Sequence, residues 1–503
     1  MQTKHSISLF ILISLFNGNI AGQEDFMVSL KKGESLGIMD YPAPDWLRDA
    51  VIVELPVRGF NCSDYKDPSK WKSPIGDGTF NSVTKKLDFL KSMGINVLCL
   101  YSVYDCNATN LYAIRYDNVS PDMGTMDDLK NLIKEAHKRG MYVMSNTNHY
   151  GVSKEAPILT EHPDWFLPEE QLQYDQRVFD LSNPEARKYI IDIHSWWCTD
   201  IGLDGWRIDC ASAFAFKRNV WNDILKKCND KGKRILLAPE GAHLYGYIEG
   251  GGRWGFHEIL DMQNNCPRSG ATKNDPYRSK EISGHNVGEP NDKIKINAFN
   301  NPTNPGPREG CYRIKGSRFL YGHNSMFAPM VPLMMTGEVI DATHLGLGKS
   351  TTYHSKMLHS WIDWTDATTN KDVVNDFRKI NQIRLANKDI FHFNMYETRL
   401  INVPCESTPT SPVKPYVRFI AGEKAGIVIG NNSTTEDVTF FLHVPLAEMG
   451  MNNIEEFYVT DCWTSTTKKM KRSALDNYSV LVPKDKSKGG GVRVIIISKE
   501  SPK

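Results

Sequence analysis

The chain has 503 residues, enough for a large core and more than one domain. Its 60 Lys+Arg and 59 Asp+Glu leave a formal charge of +1, and no basic run stands out, which argues against a nucleic-acid partner. After the N-terminus no run reaches the roughly 18 continuous apolar residues of a membrane span, which argues against stable membrane insertion.

Lys4 and His5 open the chain, an apolar run covers residues 7–16, and Ala21 and Gly22 precede Gln23. This pattern predicts a signal segment over 1–22 and a secreted protein, extracellular or periplasmic. An arm follows over 23–45. From about Trp46 short apolar strands alternate with amphipathic helices. Strands are expected at 51–55, 96–101, 141–145, 205–208 and 235–238. Helices are expected at 83–93, stopped by Gly94, at 126–139, closed by Gly140, and at 184–200 and 220–228. Residues 240–317 are rich in Gly, Asn and Pro and read as irregular, apart from a sixth strand at 258–260. Residues 318–321 and 332–335 read as the last two strands, and 372–385 as the last helix. The repeated strand–helix order implies parallel strands covered by helices, and its length fits eight of them. Beyond about Ile390, β runs at 417–420, 426–430, 438–444 and 492–497 lie between turn signals. The expected class is therefore α/β: a (β/α)8 TIM barrel over 46–388, a short inserted loop domain at about 150–180, and a C-terminal antiparallel β-sandwich over 389–503.

The ten cysteines are dispersed, without zinc-type spacing. Cys62 with Cys106, and Cys266 with Cys311, are candidate bridges in an exported chain. Cys99 and Cys210 sit in apolar runs and read as buried thiols. Asn-x-Ser/Thr acceptors occur at Asn61, Asn107, Asn118, Asn431, Asn432 and Asn477.

Barrel enzymes gather their chemistry at the carboxyl ends of the strands. Four expected strand ends carry polar residues: Asn148-His149, Arg207-Ile208-Asp209, Pro239-Glu240 and His323-Asn324. An Asp and a Glu ending adjacent strands supply the two carboxyls of a retaining glycosidase, about 5–5.5 Å apart. Arg207 lies on the same side of its strand as Asp209 and would hold it ionised, as a nucleophile requires. Glu240 must keep its proton to act as the acid/base.

The order of these motifs resembles the α-amylase family, glycoside hydrolase family 13. Gly205-Trp206-Arg207-Ile208-Asp209 is similar to that family's nucleophile motif, and Asn148-His149 to the end of its third-strand motif. Val53-Glu54-Leu55-Pro56-Val57-Arg58 resembles its first strand, and His162-Pro163-Asp164-Trp165-Phe166 the entry to its inserted domain. The resemblance covers roughly 46–385. It implies a hydrolase or transglycosylase acting on α-glucosidic bonds of α-glucans or oligosaccharides. It assigns Asp209 as nucleophile and Glu240 as acid/base, with Tyr112 stacking on the sugar and His149, Arg207 and His323 binding its hydroxyls.

Three positions depart from the family pattern. The third carboxylate expected after His323 is Asn324, the Asp opening the third-strand motif is Met144, and the Asp before Tyr116 is Arg115. Asn324 can hydrogen-bond but lacks the charge that favours an oxocarbenium-like transition state. No cofactor is required; calcium is an optional ligand, with Asn148 and Asp180 as its candidates. Two readings follow: a slow retaining enzyme, or a catalytically inactive relative that binds carbohydrate or protein. The sequence pattern does not specify the oligomeric state.

Overall fold

Eight short segments, most of them apolar, pair side by side and in parallel. The structure, a computed structural model, describes residues 44–61, 76–107, 112–168, 176–208, 220–239, 247–248, 252–253, 258–261, 294–298, 318–326, 330–341, 362–391 and 399–502. Strands β1 (Ile52–Leu55), β2 (Val97–Leu100), β3 (Tyr142–Thr147), β4 (Gly205–Ile208), β5 (Leu236–Pro239), β6 (Glu258–Asp261), β7 (Ile294–Ala298) and β8 (Met330–Met335) form one sheet. Its hydrogen-bonded order is β6-β7-β8-β1-β2-β3-β4-β5. Strands β5 and β6 lie alongside each other and bring its two ends together. The (β/α)8 barrel expected from the alternating pattern is thus the observed one.

Strand residues alternate between two faces. Val53, Leu55, Leu98, Leu100, Val143, Trp206 and Leu237 pack outward in the large core shared with the helices. Ile52, Val97, Cys99, Met144, Leu236 and Ala238 form a separate inner cluster, joined by Leu47 and Ala50 from the amino-terminal side. Helices α1 (Phe80–Thr84), α2 (Leu87–Ser92), α3 (Met126–Lys138), α4 (Pro184–Trp196), α5 (Val220–Asp230), α6 (Arg318–Ser325) and α7 (Lys371–Ala386) occur along the same span. Helix α3 starts at a capping box: Thr125 Oγ1 accepts the Asp128 N–H and the Asp128 carboxylate accepts the Thr125 N–H. Its stripe Leu129, Leu132, Ile133 and Ala136 is buried. Gly94 ends the turn after α2 with φ +81°, and a Cβ there would stand 2.7 Å from the Cβ of Asn381. That lack of a side chain admits α7, whose Asn381 amide donates to Met93 O at 2.8 Å.

Several expectations need correction. Residues 83–93 are not one helix but the end of α1, a turn and α2. Helix α4 stops at Trp196 and winds into a π turn, Trp197–Ile201. Residues 318–321 are not a strand but the first half of α6. A short apolar run is ambiguous between the two states; here Tyr321 packs on Phe377 of α7 at 5.0 Å. The seventh strand is β7, inside the stretch read as irregular. At the insert, Gly151–Val152 pairs antiparallel with Arg177–Val178. The bridge from Cys62 to Cys106 is not made, because Cys106 is a free thiol that accepts from Arg58 Nη1 at 3.4 Å. Cys99 is a buried free thiol, while Cys62, Cys210, Cys266 and Cys311 lie outside the described residues. Asn431 is buried and its amide is committed to Glu436 O and Val482 O, so it is no glycan acceptor.

The C-terminal part holds β9 (Arg399–Asn402), β10 (Cys405–Thr408), β11 (Tyr416–Ile420), β12 (Lys424–Gly430), β13 (Val438–Leu442), β14 (Glu456–Asp461), β15 (Thr466–Lys471), β16 (Tyr478–Val482) and β17 (Val492–Ser498). Two antiparallel sheets, β9-β11-β12-β17-β14-β15 and β10-β13-β16, enclose a core of residues such as Phe419, Ile427, Phe440 and Ile495. The other face of the larger sheet, with Tyr416, Val428, Val492, Val494 and Ile496, joins the barrel core. A buried polar cluster locks this contact. Arg318 Nε donates to Asp376, and its Nη1 donates to Asp485 O at 3.1 Å. Phe319 N donates to Asp485 Oδ1 at 2.8 Å, and Gly489 N to Asp376 Oδ2 at 2.8 Å.

Burial pushes the Asp485 carboxyl up to about 7. A carboxyl with a raised pKa takes its proton more tightly in the folded chain, so its contribution to stability is lost as pH rises from about 4 to about 7. Asp485→Asn keeps the acceptor for Phe319 and removes the charge. Its stability advantage over wild type in urea titrations should grow from near zero at pH 4 to about 4 kcal/mol above pH 7.

Candidate active site

The inner face of the barrel turns polar toward the carboxyl ends of its strands. Glu54, Cys99, Met144, Gly205 and Leu236 stand in register across β1 to β5. Two residues further along, Asn146, Arg207 and Ala238 form the next row. Gly205 has no side chain there because a Cβ would meet Leu236 O at 2.3 Å. That leaves the interior above it to Arg207, which is buried and donates from Nη1 to Asn146 Oδ1 at 3.1 Å. Glu54 is also buried. Burial pushes the Cys99 thiol up, Glu54 adds to that and Arg207 opposes it, so both charges act on the same interior.

The end of β3 is held from behind by an ordered chain of hydrogen bonds. His194 of α4 is buried, which pushes its pKa down to about 4 and leaves the ring neutral. Its Nδ1 lies 2.9 Å from Ile190 O, a pure acceptor, so Nδ1 carries the proton. Nε2 must then accept, from Thr147 Oγ1 at 3.0 Å. Thr147 Oγ1 in turn accepts from Tyr104 Oη at 2.8 Å, and Tyr104 Oη accepts the Asn148 N–H at 3.1 Å. Each hydroxyl donates once and accepts once along this chain. Next along is His149, buried and edge-on to Trp221 of α5 at 5.1 Å and to Tyr150 at 5.7 Å.

The residues singled out in the sequence are therefore placed unevenly. Arg207 and His149 are buried at or beyond the ends of β4 and β3. Tyr112 is largely buried, and its carbonyl accepts the Asn107 N–H at 2.8 Å. Asp209 follows Ile208 directly and Glu240 follows Pro239 directly; both lie outside the described residues. His323 and Asn324 do not end a barrel strand, because they belong to α6. The His323 ring packs edge-on against Tyr416 of the sandwich at 4.6 Å, and Tyr416 Oη donates to His323 O. Arg115 is exposed and paired with Asp117 at 2.8 Å. Glu54 and Asn146 were not singled out, although their inward parity in β1 and β3 was a readable signal. Tyr104, Tyr116, His194 and Trp221 had no such signal, since their roles depend on contacts distant in sequence.

The described residues do not compose a calcium site. Among them no three His, Cys, Asp or Glu side chains converge. Asp180 Oδ1 is engaged by both the N–H and the hydroxyl of Ser182, and Asn148 O accepts from Tyr116 Oη.

Comparison with known proteins follows the same lines. The family described as alpha amylase, catalytic domain, matches residues 58–171. A maltogenic alpha-amylase of Bacillus acidopullulyticus is 29% identical over 220 residues, 37% of this chain and 38% of that protein. An intracellular maltogenic amylase of Bacillus subtilis (strain 168) is 27% identical over 203 residues, 34% of each chain. The chain thus aligns with little more than a third of these relatives' own length. The crystal structure of an alpha-amylase from Geobacillus thermoleovorans, complexed with acarbose, superposes with a TM-score of 0.64 at 18% identity. That alignment covers 90% of this chain and 99% of the other. The chain is thus similar to the α-amylase family over residues 58–171, and its fold is that of the α-amylase structure.

The expectation of secretion is corrected, because a relative matched by sequence is named an intracellular enzyme.

The neutral His194 makes the β3 support sensitive to acid. A histidine with a depressed pKa gives stability that is present above about 6.5 and lost as pH falls toward 4. Wild type should lose about 3 kcal/mol across that window relative to a His194→Asn variant. Urea titrations of both proteins at each pH measure this difference, and parallel curves would contradict it.

Proposed function

We propose that the chain is a retaining glycoside hydrolase or transglycosylase acting on α-glucosidic bonds, with Asp209 as nucleophile and Glu240 as acid/base. One observation carries this reading: the register of β4 on β5. Arg207 stands opposite Ala238, and Ile208 opposite Pro239. Asp209 and Glu240 are the next residues along the chain after this pair. Neighbouring strands lie about 4.8 Å apart, close to the 5–5.5 Å carboxyl separation of retaining enzymes.

In this reading Asp209 attacks the anomeric carbon while Glu240 gives its proton to the departing glycosidic oxygen. A glycosyl ester on Asp209 results. Glu240, now a carboxylate, then takes a proton from water or a sugar hydroxyl, which attacks the same carbon and frees Asp209. Arg207 keeps Asp209 ionised, and His149 and Tyr112 bind the sugar.

The third carboxylate of the family pattern is Asn324 here, and Asn324 lies on α6, not at a strand end. This favours a slow enzyme, and it equally supports a second reading as a carbohydrate-binding protein that no longer turns over.

Hydrolysis of a fluorogenic α-maltooligosaccharide tests the proposal. Asp209→Ala and Glu240→Gln should each lower turnover by about a thousandfold or more. Asn324→Asp should leave it within about twofold, because α6 packs against the sandwich. Turnover equal in wild type and Asp209→Ala would end the enzyme reading. Saturable heat of binding with maltooligosaccharides would then support the binding protein.

A further inference from the structure

We propose that Tyr116 is a positioning residue that fixes His149 by tying together both ends of the turn that carries it. This rests on the reading that His149 contacts the sugar. Tyr116 Oη lies 2.7 Å from Asn148 O and 2.8 Å from Gly151 O. A phenol has one proton, so the two carbonyls share it, and residues 148 and 151 are held to a single point. His149 and Tyr150 are the only residues between them. The tyrosine is itself immobilised. Its carbonyl accepts from Trp197 Nε1 at 2.7 Å, and its ring lies 4.7 Å from that of Tyr104. Burial pushes its hydroxyl pKa well up, so the proton stays on the oxygen.

Two independent ties thus meet on this turn. Tyr104 holds the N–H of Asn148 through the chain to Thr147 and His194, and Tyr116 holds the carbonyls on either side of the histidine. Tyr116 Oη meets the turn at two backbone carbonyls, so its hydroxyl acts on the sugar site through the position of His149. Misplacing a contact group by about 1 Å can cost about a hundredfold in rate.

The test uses the full chain with Tyr116→Phe, Thr147→Val and Thr147→Ser. Amide hydrogen exchange of peptides covering 147–152 is read beside maltooligosaccharide affinity by calorimetry and kcat/KM on the fluorogenic substrate. Tyr116→Phe should speed exchange in that segment about tenfold and weaken sugar affinity and kcat/KM by about tenfold. Thr147→Val should do the same through the other tie, and Thr147→Ser, which keeps the hydroxyl, should behave as wild type. Unchanged exchange in Tyr116→Phe overturns the tie. Faster exchange with affinity and kcat/KM unchanged overturns the positioning role. A wild-type protein that neither binds nor cleaves any maltooligosaccharide overturns the sugar reading, and the role of His149 with it.

Discussion

Gly205 and Leu236 meet so closely that a Cβ on the glycine would lie 2.3 Å from the opposing carbonyl oxygen. This contact fixes how β4 sits against β5, and much else follows from it. A slip of one residue would turn Arg207 out into the helix layer and bring Trp206 into the barrel. At the observed register Trp206 packs among the helices, and Arg207 is buried beside Asn146. A buried guanidinium is stable only where acceptors or carboxylates meet it. Asn146 supplies one acceptor, and Glu54 supplies negative charge to the same interior. The polar row at the carboxyl ends and the apolar cluster beneath it are consequences of one alignment.

The elements legible in the sequence were those with a local cause. Helix α3 shows a capping Thr125, a strict apolar stripe and a terminal Gly140. Strands β1 to β5 are short apolar runs bounded by Gly, Asn or charged residues. Strand β7 has alternating Ile294 and Ile296 but lies among Gly, Asn and Pro, where composition argues for a loop. Residues 318–325 showed the reverse fault: Phe319, Leu320 and Tyr321 look like a strand, yet Tyr321 is drawn onto α7 and His323 onto the sandwich. His323 and Asn324, expected at a strand end, consequently lie on a helix. Arg207 and His149 were legible because they belong to continuous motifs. The supports behind them were not, since Tyr104, Tyr116 and His194 come from three separate elements.

Buried titratable groups act in opposite senses on the two sides of the molecule. Asp485 at the domain contact resists losing its proton, whereas His194 behind β3 resists gaining one. Between about pH 4 and 7 the stability slopes they impose have opposite signs. A flat pH profile of the whole protein would therefore conceal two steep local ones. The barrel support favours the upper part of this range and the domain contact the lower. Each group is held by specific partners, Ile190 and Thr147 for the histidine, Phe319 and Arg318 for the aspartate.

The amide that replaces the third acid of the family pattern bears on what the proposed Asp209–Glu240 pair can achieve. In an oxocarbenium-like transition state positive charge grows on the sugar ring, and a carboxylate beside the ring is stabilising in proportion to that growth. An amide binds the same hydroxyls in the ground state but gains much less as charge develops. Replacing acid by amide therefore retains affinity while forfeiting a few kcal/mol at the transition state, which is orders of magnitude in rate. Under the proposed function, a site that keeps Arg207, His149 and Tyr112 but has an amide for the third acid is suited to holding a glucan more than to cleaving it fast. Slow turnover and simple binding are then neighbouring points on one scale. Under that proposal, what separates them is how firmly the remaining groups are oriented, and the hydrogen-bond chain behind β3 acts on one of them, His149.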